Sequence, residues 1–129
     1  MADKGVKEII IDLEQATERG AQALVMDIHS KLVPGTPKDT GWAQSNWIGS
    51  VGNPVSKPIG SKQRIDNSAQ VAGLKELSTW KFVQGPAYIT NNVPYIQKLN
   101  SGWSGQAPAG FIEAVVQDAV DTANRRPLK

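Results

Sequence analysis

Residues 36–47 read TPKDTGWAQSNW, a stretch that holds two turn signals, a lone aspartate and two tryptophans. Asp and Thr side chains bond readily to nearby backbone groups, and glycine adopts conformations that other residues avoid. We therefore interpret Asp39, Thr40 and Gly41 as a turn in which the acid is a structural cap.

The residues that follow this turn predict a strand. Polar and apolar side chains mix with a period near two from residue 42 to residue 51, which is typical of a half-buried strand. Trp42 and Trp47 would anchor this strand on the core or under a neighbouring subunit.

Upstream of the turn, residues 3–33 carry the strongest periodic signal in the chain. One broad stripe at helical spacing holds Val6, Ile9, Ile10, Leu13, Thr17, Gly20, Leu24, Ile28 and Leu32. This pattern predicts one long amphipathic helix that ends at Pro34-Gly35. A helix of about 45 Å would be longer than a compact domain of this size, so part of it would pack on another chain.

Downstream of the strand, residues 52–65 read GNPVSKPIGSKQRI and predict a long exposed loop. The loop carries Lys57, Lys62 and Arg64 with no acid among them. We expect it to be mobile in the free monomer and to become ordered against a partner. Its bases would face either DNA or acids on another protein, and the sequence leaves both open.

The second half of the chain predicts a mixture of short elements. We expect a helix over 66–79, strands over 80–85 and 87–91, a short helical stretch from Pro94 to Gly102, and an amphipathic helix over 111–126. The predicted fold is a single α+β domain over residues 1–129, with the N-terminal and C-terminal helices packed on a small antiparallel sheet.

Composition excludes several classes of site. The chain of 129 residues has no cysteine and one histidine, so it offers neither disulfides nor thiolate metal sites. We expect no metal and no cofactor. The N-terminus lacks the features of a secretory signal, no apolar run is long enough to span a bilayer, and the expected location is the cytoplasm.

Two short patterns invite a catalytic interpretation. Asp39 in KDTG resembles the active-site tripeptide of aspartic proteases, but that chemistry needs a second carboxylate close by. His29 stands beside Asp27 and Ser30, yet adjacent helical positions point in different directions. We expect His29 to be a surface or interface residue and expect no enzyme, with an Asp39-dependent hydrolase as an open alternative.

Nucleic-acid binding is the more serious alternative. The loop bases form a local positive patch, and Trp42, Trp47 and Trp80 could stack on bases. However, tryptophans in a chain this small are usually core or interface anchors, and a net charge of +2 is low for a nucleic-acid binder. Loose contact with DNA in a channel stays open.

Two motifs together resemble one protein family. TPKDTGWAQSNW resembles the T-P-x-D-T-G-x-x-x-x-N-W segment of the small neck or tail-completion proteins of tailed bacteriophages, the head–tail joining or minor tail protein group. AYITNNVPYIQKLNSGWSGQAPAGFIEAVV, residues 87–116, resembles the second half of that family. The likeness covers residues 34–120. It departs at Trp42, where relatives often carry Arg or another polar residue, and at Asn100, where Glu is common.

The resemblance implies a structural virion protein that is made in the host cytoplasm. It would form a ring, expected to be a hexamer, where the tail meets the neck. Its partners would be copies of itself, the neighbouring head-completion, tail-terminator and tail-tube proteins, and packaged DNA through non-specific contact, with no membrane. In this interpretation Asn91, Asn92, Pro94 and Tyr95 shape a second turn, and Tyr95 packs near the loop of Trp103.

Overall fold

The computed structural model describes residues 17–38, 41–105 and 107–125. In chain order its elements are α1 (Glu18–Gly35), α2 (Trp42–Ser45), β1 (Ile48–Val51), α3 (Ser68–Ser78), a 3-10 turn (Phe82–Gln84), β2 (Ala87–Thr90), α4 (Ile96–Asn100) and α5 (Phe111–Arg125). The α+β prediction is confirmed. So are the helices expected over 66–79 and 111–126 and the strand that begins at residue 87.

The first helix begins later than the periodicity predicted. Thr17 has an extended backbone, and its hydroxyl accepts a hydrogen bond from the amide of Gly20 at 3.0 Å, so Thr17 is the N-cap of α1. The prediction of one continuous helix over residues 3–33 is therefore wrong, because α1 begins after Thr17. Residues 1–16 lie outside the described residues. An α1 of 18 residues is about 27 Å long, so the argument from excess helix length no longer holds.

Two predicted strand segments are not strands. Residues 42–45 form the short helix α2, and the strand β1 covers only Ile48–Val51. The segment after α3 folds into the 3-10 turn, because the Trp80 indole donates to the carbonyl of Gly85 at 2.8 Å and the chain turns between them.

The sheet consists of β1 and β2 in antiparallel pairing, with Ile48 opposite Thr90 and Val51 opposite Ala87. Two strands alone are marginal in water, and here α3 packs closely on β1. Gly49 and Gly73 allow this approach, because a methyl group at either position would overlap with backbone or with the Leu77 side chain of the facing element.

The core lies where α1 meets α5 and the segment after β2. Its buried members are Leu24, Ile28, Leu32, Ala43, Trp47, Ile96, Leu99, Ala107, Phe111, Ile112, Val116 and Ala119. Each of these removes apolar surface from water, which is the main term that stabilises the fold. The core thus fixes residues 41–47 against the turn that follows β2.

Candidate interaction site

The turn before α2 is described from Gly41 onward. Gly41 has φ +88°, a left-handed conformation that strains any residue with a Cβ, and it caps the N-terminus of α2. The prediction that Gly41 takes a conformation other residues avoid is therefore confirmed. Asp39 and Thr40 lie outside the described residues, so their role as a cap stays a prediction.

Helix α2 has only four residues, and side chains from other segments bond to its carbonyls. The Asn91 amide donates to the carbonyl of Ala43 at 2.9 Å, and the Gln70 amide donates to the carbonyl of Gln44 at 2.7 Å. These donors come from the turn after β2 and from α3. The helix at residues 42–45 therefore depends on tertiary contacts. The local sequence does not contain these contacts, and its mixed polar and apolar pattern alone suggested a strand.

The prediction that Trp47 anchors its segment on the core is confirmed, because only 1% of its surface is exposed. Its indole donates to the hydroxyl of Thr36 at 2.6 Å, and that hydroxyl donates to the carbonyl of Leu32 at 2.6 Å. Both bonds tie the residue to the C-terminal end of α1. A buried indole N–H with a partner avoids the cost of an unmade hydrogen bond.

His29 is buried, which corrects the prediction of a surface or interface histidine. Its Nε2 lies 2.9 Å from the carbonyl oxygen of Trp47. Because a carbonyl can only accept, the ring donates from Nε2. The apolar stripe of α1 faces the core at this position, and Trp47 supplies the polar partner that a buried imidazole requires.

Asn46 connects the TPKDTGWAQSNW stretch to the loop at residues 52–65. Its side-chain oxygen accepts from the amide of Ile59 at 2.7 Å, and its side-chain nitrogen donates to the carbonyl of Ile59 at 2.9 Å. The Trp42 indole donates to the same carbonyl at 2.9 Å. One residue of the loop is thus paired on both its backbone groups, as it would be by a neighbouring strand.

The second motif holds the same loop at two further points. The Asn92 amide donates to the carbonyl of Val55 at 2.8 Å. The Lys62 ammonium lies 5.0 Å from the centre of the Tyr95 ring, which is cation–π distance. The Tyr95 ring also packs against Trp42 with centroids 5.9 Å apart.

We call Trp42, Asn46, Asn92 and Tyr95 the loop anchor. They come from the two separate motifs on which the family resemblance rests, and they converge on residues 55–62 of one loop. The loop has no helix or strand, and its bases Lys57, Lys62 and Arg64 are exposed as predicted. Its mobility stays a prediction. The anchor gives the loop a defined position on the domain.

Asn91 shapes the turn after β2, as the sequence predicted. Asn91 is 3% exposed, and its side-chain oxygen accepts from the amide of Val93 at 3.1 Å, which closes an Asx turn before exposed Pro94. The Tyr95 ring stacks at a tilt on Trp42, and its expected packing near the Trp103 loop stays a prediction. Trp103 is 72% exposed, with the Lys98 ammonium 5.7 Å from the centre of its ring.

Asn100, one of the two departures from the family pattern, supports the start of α5. Its side-chain oxygen accepts from the amide of Ile112 at 2.9 Å, and its nitrogen donates to the carboxylate of Glu113 at 2.8 Å. A glutamate at position 100 would bring a second carboxylate to Glu113 and would lose the donor. An asparagine at position 100 can therefore bond to the Glu113 carboxylate, whereas a glutamate there would repel it.

In the described part of the chain, Asp66 and Lys31 have shifted pKa values, and both side chains bond within the fold. Hydrogen bonds from the hydroxyl and amide of Ser68 lower the pKa of Asp66 at the start of α3. The hydrogen bond to Asp118 raises the pKa of Lys31, which joins α1 to α5. Residues 17–38, 41–105 and 107–125 contain no group of three or more His, Asp or Glu side chains that could hold a metal ion.

Sequence reasoning did not single out Thr36, Asn46 and Gln70, and it expected His29 at the surface or at an interface. Asn46 stood inside the quoted motif as the N of N-W, so the family pattern was a usable signal for it. His29 and Gln70 bond to backbone carbonyls that are distant in sequence, and Thr36 accepts from the indole of Trp47. No local pattern could have identified them.

No helix in the described part of the chain is long and apolar enough to cross a membrane. Comparisons with protein families, with curated proteins and with solved structures found no match to this chain. The resemblance to phage tail-completion proteins therefore rests on the quoted motifs.

Proposed function

We propose that this chain is a structural virion protein of a tailed bacteriophage and not an enzyme. It forms a ring, of six copies by resemblance, at the head–tail junction, where it completes the tail and joins it to the neck. Its partners are copies of itself and the adjoining neck and tail proteins. It is made in the host cytoplasm and ends in the virion.

The observation that best supports this proposal is the convergence of both family motifs on one loop. Trp42 and Asn46 from the first motif, and Asn92 and Tyr95 from the second, all bind residues 55–62. The polar side chains of these motifs are used to hold backbone. Side chains that are bonded to the loop backbone position a surface that a partner protein can bind, and they are not free to act on a substrate.

The presented surface is basic. Lys57, Lys62 and Arg64 are exposed, and no acid lies between residues 52 and 65. On this proposal the anchored loop meets acidic groups on an adjoining virion protein. Binding of this kind gains specificity and association rate from complementary charge.

A second candidate function is contact with packaged DNA, which the same three exposed bases favour. Such contact would be weak and sensitive to salt, because three bases release few counterions. Titration of the purified protein with duplex DNA at low and high salt separates the two partners. A measurable affinity that falls steeply with salt supports DNA, and absence of binding at low salt supports a protein partner.

The proposal is tested by replacing two loop bases that the anchor does not use. Lys57→Ser with Arg64→Ser keeps the contact of Lys62 with Tyr95 and removes two charges from the exposed surface. We expect the encoding phage to accumulate full heads and free tails, counted by electron microscopy. Lys75→Ser with Arg19→Ser removes the same charge from α3 and α1, both exposed, and is the matched control.

A larger change tests the loop as a whole. Deletion of residues 54–63 removes Val55, Ile59 and Lys62, and we expect a folded protein that no longer joins heads to tails. Full infectivity of phage that carry this deletion would refute the role given to the loop. Normal infectivity of phage that lack the whole gene would refute the proposed function itself.

A further inference from the structure

Val83 and Trp103 are the two most exposed of the large apolar side chains on the described surface. Val83 in the 3-10 turn is 93% exposed, and its neighbour Phe82 is 46% exposed. Trp103, in the connection between α4 and α5, is 72% exposed. We call residues 82–84 the Val83 corner, and we call Trp103 with Lys98 the Trp103 knob.

The Val83 corner lies at the N-terminal end of α1. The amide of Phe82 donates to the carboxylate of Glu18, the first residue of α1, at 2.6 Å. One turn further along α1, the Gln22 amide donates to the carbonyl of Trp80. These two bonds fix the corner to the first turns of the helix.

The Trp103 knob lies toward the opposite end of α1. Helix α5 runs antiparallel to α1, because Asp118 bonds Lys31 at 2.8 Å while Val115 lies beside Gly35, four residues further along α1. The first turn of α5 therefore lies beside or beyond the last turn of α1. Asn100 binds that first turn, and it also belongs to the short helix that carries the knob.

The two ends of α1 are about 25 Å apart at the rise of an α-helix. The knob carries the Lys98 ammonium, and the corner carries the Glu18 carboxylate together with the exposed Lys81 ammonium. Within one chain Glu18 faces Lys81 at 3.9 Å, and the two side chains are 36% and 62% exposed, so that pair is weak. The carboxylate can therefore take a cation from another molecule.

We infer that the Trp103 knob of one copy docks on the Val83 corner of the next copy, with Lys98 meeting Glu18. Two different patches at opposite ends of a molecule make a heterologous interface, which closes into a ring when the rotation between copies allows it. Tryptophan is among the residues that most often dominate such interfaces. This inference rests on the proposed function and names the contact that would build the ring.

Because the chain has no cysteine, engineered cysteines report on this contact without background. Val83→Cys places a thiol at the corner, and Ser101→Cys places one at an exposed position two residues before Trp103. The protein with both changes is treated with a short bismaleimide cross-linker. We expect a ladder of linked species that extends beyond the dimer.

The single variants decide between a head-to-tail contact and other arrangements. Each alone should stay mostly monomeric after cross-linking, and a mixture of the two should give one heterodimer band. Val71→Cys with Ser101→Cys is the matched control, since Val71 is 61% exposed near the other end of α3. We expect at least a tenfold lower yield of linked species from this control.

Each other result contradicts the inference. Equal linkage of the single variants indicates a symmetric contact, and equal linkage of the Val71 control indicates random collision. Absence of the ladder means that the corner does not bind the Trp103 knob of a second copy. If the ladder fails but the protein is found in the necks of purified particles, only this contact is wrong and the proposed function stands.

Discussion

Asn46 is the residue whose side chain does most to fix the loop that carries the exposed bases. It is 1% exposed, and its amide pairs with both backbone groups of Ile59 and with the carbonyl of Trp42. A buried amide satisfied on both of its atoms gives directional contacts that an apolar side chain cannot replace. Asn46 therefore both stabilises the domain and holds in place the loop that carries the proposed partner surface.

We predict that Asn46→Ala lowers the free energy of unfolding by about 1–3 kcal/mol, because it leaves the half-buried amide of Ile59 without its partner and removes one donor each from the carbonyls of Ile59 and Trp42. The amide of Ile59 should also exchange with deuterium much faster. Urea unfolding and hydrogen exchange measure the two effects. Asn53→Ala, at an exposed position in the same loop, should change the stability by less than about 0.5 kcal/mol. Equal losses in the two variants would show that Asn46 has no special role.

Asp66 makes stability depend on pH at the start of α3. Its carboxylate accepts from the amide of Ser68 at 2.9 Å and from the Ser68 hydroxyl at 2.7 Å, which lowers its pKa below the usual range for an aspartate. A group whose pKa is lower in the folded state contributes stability above its unfolded pKa, near pH 4. That contribution is lost as the pH falls through the folded pKa.

We therefore predict that Asp66→Ala destabilises the protein at pH 7 and that the difference from wild type shrinks as the pH falls below about 4. Urea unfolding at pH 7 and pH 3 measures this difference. Asp121→Ala, which removes an acid that bonds the Gln117 side chain on α5, is the control for a general loss of negative charge. A difference that grows on acidification would contradict the assignment.

At the scale of elements, the crossing of β1 and α3 depends on two glycines. The backbones approach so closely at Gly49 and Gly73 that an added methyl group would overlap with the facing element. Neither glycine has a positive φ, so close approach and not backbone conformation explains their presence. This crossing positions both ends of the loop at residues 52–65, since the loop leaves β1 and enters α3.

We predict that Gly49→Ala and Gly73→Ala each lower the free energy of unfolding by about 1–3 kcal/mol, the usual cost of overpacking. The control is Gly35→Ala, whose new methyl group would lie at an ordinary 3.6 Å from Val115. It should change the stability by less than about 1 kcal/mol. Chemical denaturation measures the stability of all three variants. If Gly35→Ala is as unstable as Gly49→Ala and Gly73→Ala, the steric explanation is wrong.

The elements also show how far the sequence alone can lead. Capping residues followed by good helix formers at residues 66–79 predicted α3 correctly, and the amphipathic period at residues 111–126 predicted α5 correctly. The boundary at Thr17 was missed because a threonine on a helical stripe also fits a cap. Helix α2 was missed because donors distant in sequence, such as Asn91, pair its carbonyls.

The candidate site was predictable to a similar extent. The two motifs identified the segments that form the loop anchor, because turn residues and aromatic residues are visible in sequence. They did not predict that Asn92 would bind Val55 or that Lys62 would lie over Tyr95. Contacts between distant segments follow from the fold and cannot be deduced from spacing.

At the scale of the whole molecule, the exposed features are spread over different parts of the surface. The basic loop is held on the turn after β2, while the Val83 corner and the Trp103 knob lie toward opposite ends of α1. A protein that contacts two neighbouring copies and a third partner needs at least three such surfaces. This distribution is what a ring component of a larger particle requires.

Electron cryomicroscopy of the neck region in purified particles of the encoding phage tests this account most directly. We predict a closed ring of copies of this α+β fold between the head and the tail tube, with Trp103 of each copy against Val83 of the next and with residues 52–65 against another virion protein. Particles whose necks are complete and contain no copy of this fold would contradict the account.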